Sequence, residues 1–87
     1  MFAQSFSVVS LALNLLKAKD TGIITQVRKN DENLLRKLIA MGIMPGLRIT
    51  LEQRFPSYII KIGEMRGGMR IAIDRTLARA IYVRRTR

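Results

Sequence analysis

The sequence contains no cysteine and no histidine among its 87 residues. The missing cysteines exclude disulfide bonds, thiolate zinc sites and cysteine nucleophiles, and the missing histidines exclude imidazole catalysis and imidazole metal ligands. The six carboxylates are scattered along the chain, and no glycine-rich phosphate-binding motif is present. We therefore expect no enzyme, no catalytic residue, no bound metal and no cofactor.

Acidic and aromatic residues are also few, whereas basic residues are abundant. Sixteen Lys or Arg stand against six Asp or Glu, which gives a formal net charge of +10. A field of this sign attracts nucleic acid, an anionic membrane surface or an acidic protein. Aromatic residues make up only 6% of the chain, which leaves little for bases to stack on. We expect no nucleic acid partner, although a basic nucleic-acid-binding small barrel remains the alternative function.

Long apolar runs are absent too. The stretch Phe6–Leu16 is interrupted by polar residues and spans about eleven residues, whereas a membrane-spanning helix needs about twenty. No basic residue precedes Lys17, as one would in a signal peptide. The length fits one small domain, and a hydrophobic content of 48% argues against a disordered basic tail. The expectation is a cytoplasmic protein.

One segment, 33–41, predicts an α-helix. Asn30 and Asp31 are candidate N-cap residues, and Gly42 is the expected residue just beyond the C-terminal end. At about 100° per residue, five apolar side chains fall within an arc of roughly 160°. In order around the helix they are Met41, Leu34, Leu38, Leu35 and Ile39.

The rest of the sequence indicates short strands joined by tight turns. Gly22 belongs to a turn signal, and Pro45-Gly46 is typical of a type II turn. Segment 11–16 is compatible with a strand or a turn of helix, and 75–80 with one helical turn. About five strands with one inserted helix predict a mainly β small barrel or sandwich. They are expected at 23–28, 47–51, 58–62, 69–73 and 81–83.

The segment from Leu34 to Gly46 resembles the most characteristic stretch of the ferrous iron transport protein A (FeoA) family, a helix followed by Gly-x-x-Pro-Gly. Gly22 and the strands downstream occur in the matching order. The resemblance implies a mainly β, small SH3-like β-barrel of about five strands with one inserted helix, related to the C-terminal domains of iron-dependent repressors. We divide the chain into an N-terminal extension at 1–10, this domain at 11–84 and a basic tail at 85–87.

The resemblance also implies a cytoplasmic accessory protein of Feo ferrous iron uptake, whose partner is the membrane transporter FeoB with its GTPase-type domain. The candidate contacts are Leu38, Met41 and Met44, because the apolar arc is wider than a nine-residue helix needs for packing. Core positions for Leu38 and Met41 remain an open alternative. Arg36 and Lys37, on the opposite face, would steer the encounter. A second copy of the chain or a transient contact with an anionic membrane is also compatible.

Overall fold

The computed structural model describes residues 9–28, 31–63 and 68–86. The described elements are six strands and three short helices. A 3-10 helix covers Leu13–Leu15, and the α-helices are α1 (Glu32–Ala40) and α2 (Arg75–Ala80). The strands are β1 (Ser10–Ala12), β2 (Thr21–Val27), β3 (Arg48–Gln53), β4 (Tyr58–Ile62), β5 (Met69–Ile73) and β6 (Ile81–Thr86).

The six strands form one antiparallel sheet in the order β1-β6-β2-β3-β4-β5. The last strand thus lies between β1 and β2, so the two ends of the domain are paired with each other. Side chains that alternate along the strands face one core, for example Ile49 and Leu51 of β3 and Ile81 and Val83 of β6. Helix α2 begins at Asp74, whose carboxylate accepts the N–H of Leu77 at 2.8 Å.

This architecture confirms the mainly β fold with a helix inserted after an early strand. The described residues contain six strands rather than about five. The additional strand is β1, and segment 11–16 holds both the end of this strand and the 3-10 helix that follows it. Segment 75–80 is helical, as predicted.

The sheet extends one or two residues beyond both ends of the expected domain, 11–84. Ser10 pairs with Arg84 in β1, so it is part of the sheet and not of an extension. Arg85 pairs with Gly22, and Thr86 also lies in β6, so these two residues are not a tail. Ladder hydrogen bonds to β2 hold this basic end of the chain in the sheet. The rest of the expected extension, 1–8, and Arg87 lie outside the described residues.

Gly22 is not in a turn but within strand β2, which corrects the expectation from sequence. Its neighbour β6 passes very close to it. A Cβ atom on Gly22 would lie 2.5 Å from the carbonyl oxygen of Arg84 and closer still to Cγ1 of Val83. The turn itself lies earlier, where the N–H of Asp20 donates to the carbonyl of Lys17 at 3.0 Å. Gly22 is therefore required by close strand packing and not by turn geometry.

Candidate partner-binding groove

Helix α1 is capped at its N-terminus by Asp31. The Asp31 Oδ1 atom accepts the backbone N–H of Asn33 at 3.0 Å and that of Leu34 at 3.3 Å. These bonds satisfy two of the donors that a helix start leaves without partners. Of the two predicted caps, the structure therefore shows Asp31, and Asn30 lies outside the described residues.

The C-terminal end of α1 closes with two backbone hydrogen bonds around Gly42. The N–H of Gly42 donates to the carbonyl of Ile39, and the N–H of Ile43 donates to that of Leu38, each at 2.9 Å. Gly42 has φ of +83°, the left-handed conformation that this closure needs. Leu38 and Ile43 are both fully buried. Their joint burial anchors the end of the helix to the core.

A type II turn follows directly, as the Pro45-Gly46 pair predicts. The N–H of Leu47 donates to the carbonyl of Met44 at 3.4 Å, and Gly46 has φ of +96°. The N–H of Gly46 also donates to the carbonyl of Ile24 in β2 at 2.7 Å. This bond fixes Met44 and Pro45 beside strand β2.

A β-bulge in β2 shapes the surface opposite the turn. The pairing of β2 with β6 shifts between Ile24 and Gln26, which leaves Thr25 as an extra residue. Thr25 and Gln26 are consequently both exposed, although they are adjacent, and Val27 returns to the interior.

Between α1, β2 and the turn lies an apolar groove of about 570 Å³, which we call the α1–β2 groove. Val27 and Ile43 line it as buried residues, whereas Ile39 and Met44 stay 53% and 46% exposed. Six large hydrophobic side chains are exposed in the described part of the chain, and two of them, Ile39 and Met44, line this groove. The full lining is Thr25, Gln26, Val27, Leu35, Ile39, Ile43, Met44 and Pro45.

The predicted contact residues fall into three groups. Leu38 is 0% exposed and belongs to the core, so we remove it from the candidate contacts. Met41 is partly buried against the core and does not line the groove, whereas Met44 does. Arg36 and Lys37 are exposed on α1.

Leu35 and Ile39 were not among the candidates, yet they form the helical wall of the groove. Their place in the apolar arc could have identified them. The centre of an apolar arc faces the core, and Leu38 occupies that centre. Leu35 and Ile39 occupy one edge of the arc, where Leu35 packs partly against the core and Ile39 is exposed.

Three ion pairs lie on the described surface: Arg36–Glu32 at 3.8 Å, Arg70–Glu52 at 2.6 Å and Arg85–Asp20 at 3.3 Å. A hydrogen bond from the backbone N–H of Lys17, reinforced by the guanidinium of Arg85, lowers the pKa of Asp20. The guanidinium of Arg70 lowers the pKa of Glu52 by hydrogen bonding and charge. Both carboxylates are therefore ionised at neutral pH.

The lowered pKa of Asp20 predicts an acid-dependent loss of stability. A carboxyl whose pKa is lower in the folded state stabilises the fold at pH values above its unfolded pKa, near the ordinary value of 3.8. That contribution disappears as the pH falls through the folded pKa. Asp20→Asn should therefore lose less stability than the wild type between pH 5 and pH 2.5. Chemical denaturation followed by circular dichroism at several pH values tests this, and parallel pH curves for the two proteins would contradict it.

The described residues contain neither a cluster of potential metal ligands nor a helix able to span a membrane. Within 9–28, 31–63 and 68–86, no three potential metal-binding side chains of the His, Cys, Asp and Glu types are grouped together. Over the same ranges, the helices are too short and too polar to cross a bilayer.

A small antiparallel sheet with one longer helix inserted after an early strand is the architecture of a small SH3-like domain. A FeoA domain matches residues 11–85. Fe(2+) transport protein A of Leptolyngbya boryana is 31% identical over 83 residues, which cover 94% of this chain and 96% of that protein. The chain belongs to the FeoA family, a family of ferrous iron transport accessory proteins.

Solved structures agree with this assignment and confirm the SH3-like fold. A crystal structure of FeoA, described as an iron uptake regulatory protein, aligns with a TM-score of 0.76 and 30% identity, covering 90% of this chain and all of that one. Stenotrophomonas maltophilia FeoA, described as a prokaryotic SH3 domain protein and crystallised with zinc, has a TM-score of 0.71 and 17% identity, with coverage of 88% and 96%. A manganese-dependent transcriptional repressor shares the fold over 37% of its length, with a TM-score of 0.80, 21% identity and coverage of 88% of this chain.

Proposed function

We propose that this protein acts in the cytoplasm and binds the cytoplasmic part of a FeoB-type ferrous iron transporter through the α1–β2 groove. The resemblance to the FeoA family implies this partner, and the observation that supports this surface is the pair Ile39 and Met44. Both apolar side chains remain about half exposed at a concave site that the buried Val27 and Ile43 also line. Exposed apolar side chains in a preformed cleft are typical of surfaces that bind other proteins.

The groove has the size and rigidity that such binding needs. Its volume of about 570 Å³ is that of a small-molecule cleft, usually roughly 300–1,000 Å³, so it has room for apolar side chains of a partner. The Gly46–Ile24 hydrogen bond and the buried Leu38–Ile43 pair hold both walls in place before a partner arrives. A rigid site loses little conformational entropy on binding.

The charges beside the groove indicate what the partner presents. Arg36 is paired with Glu32 only at 3.8 Å, and its side chain is 76% exposed. Lys37 forms no ion pair within the described residues. We propose an apolar helix face or loop flanked by acidic residues, which these two cations attract over distance.

Met44→Asp should weaken binding to the purified cytoplasmic region of FeoB at least about tenfold, because a carboxylate would have to be buried in an apolar contact. Isothermal titration calorimetry measures the affinity. Met69→Asp is the matched control: it makes the same substitution at an exposed methionine on β5, outside the groove. The control should bind within about twofold of the wild type.

Two results would contradict the proposal. One is a folded Met44→Asp variant that binds FeoB like the wild type, and the other is an equal loss of affinity in the Met69→Asp control.

The double variant Arg36→Gln/Lys37→Gln should reduce mainly the association rate with FeoB, and the difference from the wild type should shrink as salt is added.

A further inference from the structure

The segment 1–8, which we call the N-terminal segment, joins the fold beside the α1–β2 groove. The hydroxyls of Ser10 and Thr25 share a hydrogen bond of 2.8 Å, and Thr25 lines the groove. The hydroxyl of Thr25 also donates to the carbonyl of Tyr82 at 3.3 Å, which holds it on the sheet. The N-terminal segment is therefore attached two residues before a side chain that contacts the groove wall.

The N-terminal segment is long enough to enter the groove from this point. Strands β1 and β2 both pair antiparallel with β6, so the chain before Ser10 is directed towards the start of β2, whereas the groove lies at its end. Entry into the groove therefore requires the chain to reverse. An extended chain spans at most about 3.3–3.6 Å per residue, so the eight steps from Ser10 to Phe2 reach roughly 26–29 Å. A sphere with the groove's volume is about 10 Å across, which leaves enough chain for the reversal.

The N-terminal segment and the groove are both uncharged, in a chain in which 25% of the residues are charged. The segment reads MFAQSFSV and contains two of the three phenylalanines of the protein. None of the residues that line the groove is Lys, Arg, Asp or Glu. Burying a charge against apolar side chains is costly, so the groove favours an uncharged occupant with apolar side chains.

The groove also presents apolar surface that an aromatic ring can cover. Ile39 and Met44 are 53% and 46% exposed, and the thioether sulfur of methionine makes favourable contacts with aromatic rings. Val9, the residue that follows the N-terminal segment, is 62% exposed and does not belong to the core. Apolar side chains therefore remain exposed both in the groove and at the start of the described chain.

We propose that the N-terminal segment occupies the α1–β2 groove of its own chain, with Phe6 packed against Ile39 and Met44. A short tether gives the segment a millimolar effective concentration at the groove, so a weak contact is sufficient. A second copy would have to approach against the repulsion of two net charges of +10. The contact does not depend on FeoB. Its consequence rests on the proposed function, because FeoB would have to displace the segment from the same site.

The first test compares ¹H–¹⁵N NMR spectra of the full chain and the variant Phe2→Ser/Phe6→Ser, which keeps the chain length and the charge. Beyond residues 1–11, the differences should concentrate on the amides of the groove lining. In the wild type, nuclear Overhauser effects should connect the ring of Phe6 to methyl groups of Ile39 or Met44. Differences confined to 1–11, or spread over the whole sheet, would overturn the proposal.

Phe55→Ser is the matched control. It makes the same substitution at a phenylalanine that is 85% exposed and does not line the groove. We expect its spectrum to differ from that of the wild type only near Phe55. Equal changes at the groove lining in this control would show that the N-terminal segment is not their cause.

The variant Met44→Asp alters the groove instead of the N-terminal segment. Its carboxylate should expel the segment, because a charge would otherwise be buried in an apolar contact. The amides of 2–8 should then move towards their positions in an isolated peptide of sequence MFAQSFSV. Amides that stay where they are in the wild type would contradict the contact.

Dilution distinguishes the chain's own segment from that of a second copy. An intramolecular contact is independent of concentration, so the groove amides should have the same shifts at about 1 mM and about 20 μM protein. Sedimentation over this range should give the mass of a monomer. Groove shifts that disappear on dilution would mean that a second copy supplies the segment, and they would overturn the proposal.

FeoB binding tests the consequence of the contact. If the N-terminal segment occupies the groove in about four fifths of the molecules, Phe2→Ser/Phe6→Ser should bind the cytoplasmic region of FeoB about fivefold more tightly than the wild type. Phe55→Ser should bind like the wild type, and equal affinity of all three proteins would rule out displacement. Groove shifts without FeoB binding by any of them support the contact and contradict the proposed function. FeoB binding that depends on Met44, without groove shifts, does the reverse.

Discussion

Leu38→Ala is expected to lower the free energy of unfolding by about 2–5 kcal/mol. Leu38 is completely buried, and it is the one residue of α1 that is. Truncation would remove its apolar contacts and leave a cavity beside Ile43, the residue that closes the C-terminal end of the helix. For a domain of this size, where 1 kcal/mol corresponds to about 4–8 °C, the melting temperature should fall by roughly 10–40 °C.

Ile39→Ala provides the matched control for this experiment. It removes a branched apolar side chain of similar size from the next position of the same helix, but Ile39 is 53% exposed. Alanine also has the higher helix propensity, so the expected cost is below about 1 kcal/mol. Thermal and chemical denaturation of both variants measure the difference. Similar losses in the two would show that Leu38 does not anchor the helix.

Gly22→Ala is expected to destabilise the protein by about 1–3 kcal/mol, and Gly22→Val by more. The added Cβ would lie 2.5 Å from the carbonyl oxygen of Arg84, a backbone atom that cannot rotate away. Relief requires β2 and β6 to separate, and both are interior strands of the sheet, paired on both sides. Denaturant unfolding gives the change in free energy.

Substitutions at Gly42 provide a comparison, because glycine is favoured there by its backbone conformation and not by a steric contact. A Cβ on Gly42 meets nothing within 4 Å, but φ is +83°. Gly42→Ala should therefore cost about 1 kcal/mol, and Gly42→Asn less, because asparagine tolerates this conformation. Gly22→Asn should be worse than Gly22→Ala, because the larger side chain meets the same backbone. The opposite order at Gly22 would contradict close packing as the reason for glycine there.

Local features were predictable because their hydrogen bonds join residues a few positions apart. Asp31 accepts the N–H groups of the residues two and three positions later, and the N–H of Gly42 donates to a carbonyl three positions earlier. Residue types at fixed offsets are therefore sufficient to predict both ends of the helix. The type II turn at Pro45-Gly46 and the alternating strands follow in the same way. The apolar arc of α1 also contained the position of Leu38, at its centre.

Other features depend on pairing between distant parts of the chain. Arg85 and Thr86 read as a basic tail, but they pair with β2 more than sixty positions earlier, which makes them strand residues. The bulge at Thr25 exists only relative to β6, and it turns Val27 towards the groove. Lys19, Arg48 and Arg85 likewise meet at the start of β2, although they come from three segments that no sequence spacing connects.

Residue types and composition are sufficient to predict the class of fold, the helix with its cap and closing glycine, the turn that follows, the family resemblance and the large positive charge. Each of these depends on residue type at short range or on composition. The tertiary structure alone decided which apolar residues stay exposed, why Gly22 must be glycine and where the cations concentrate. Those properties arise when β6 pairs between β1 and β2, because that pairing brings distant side chains together and fixes which faces remain uncovered.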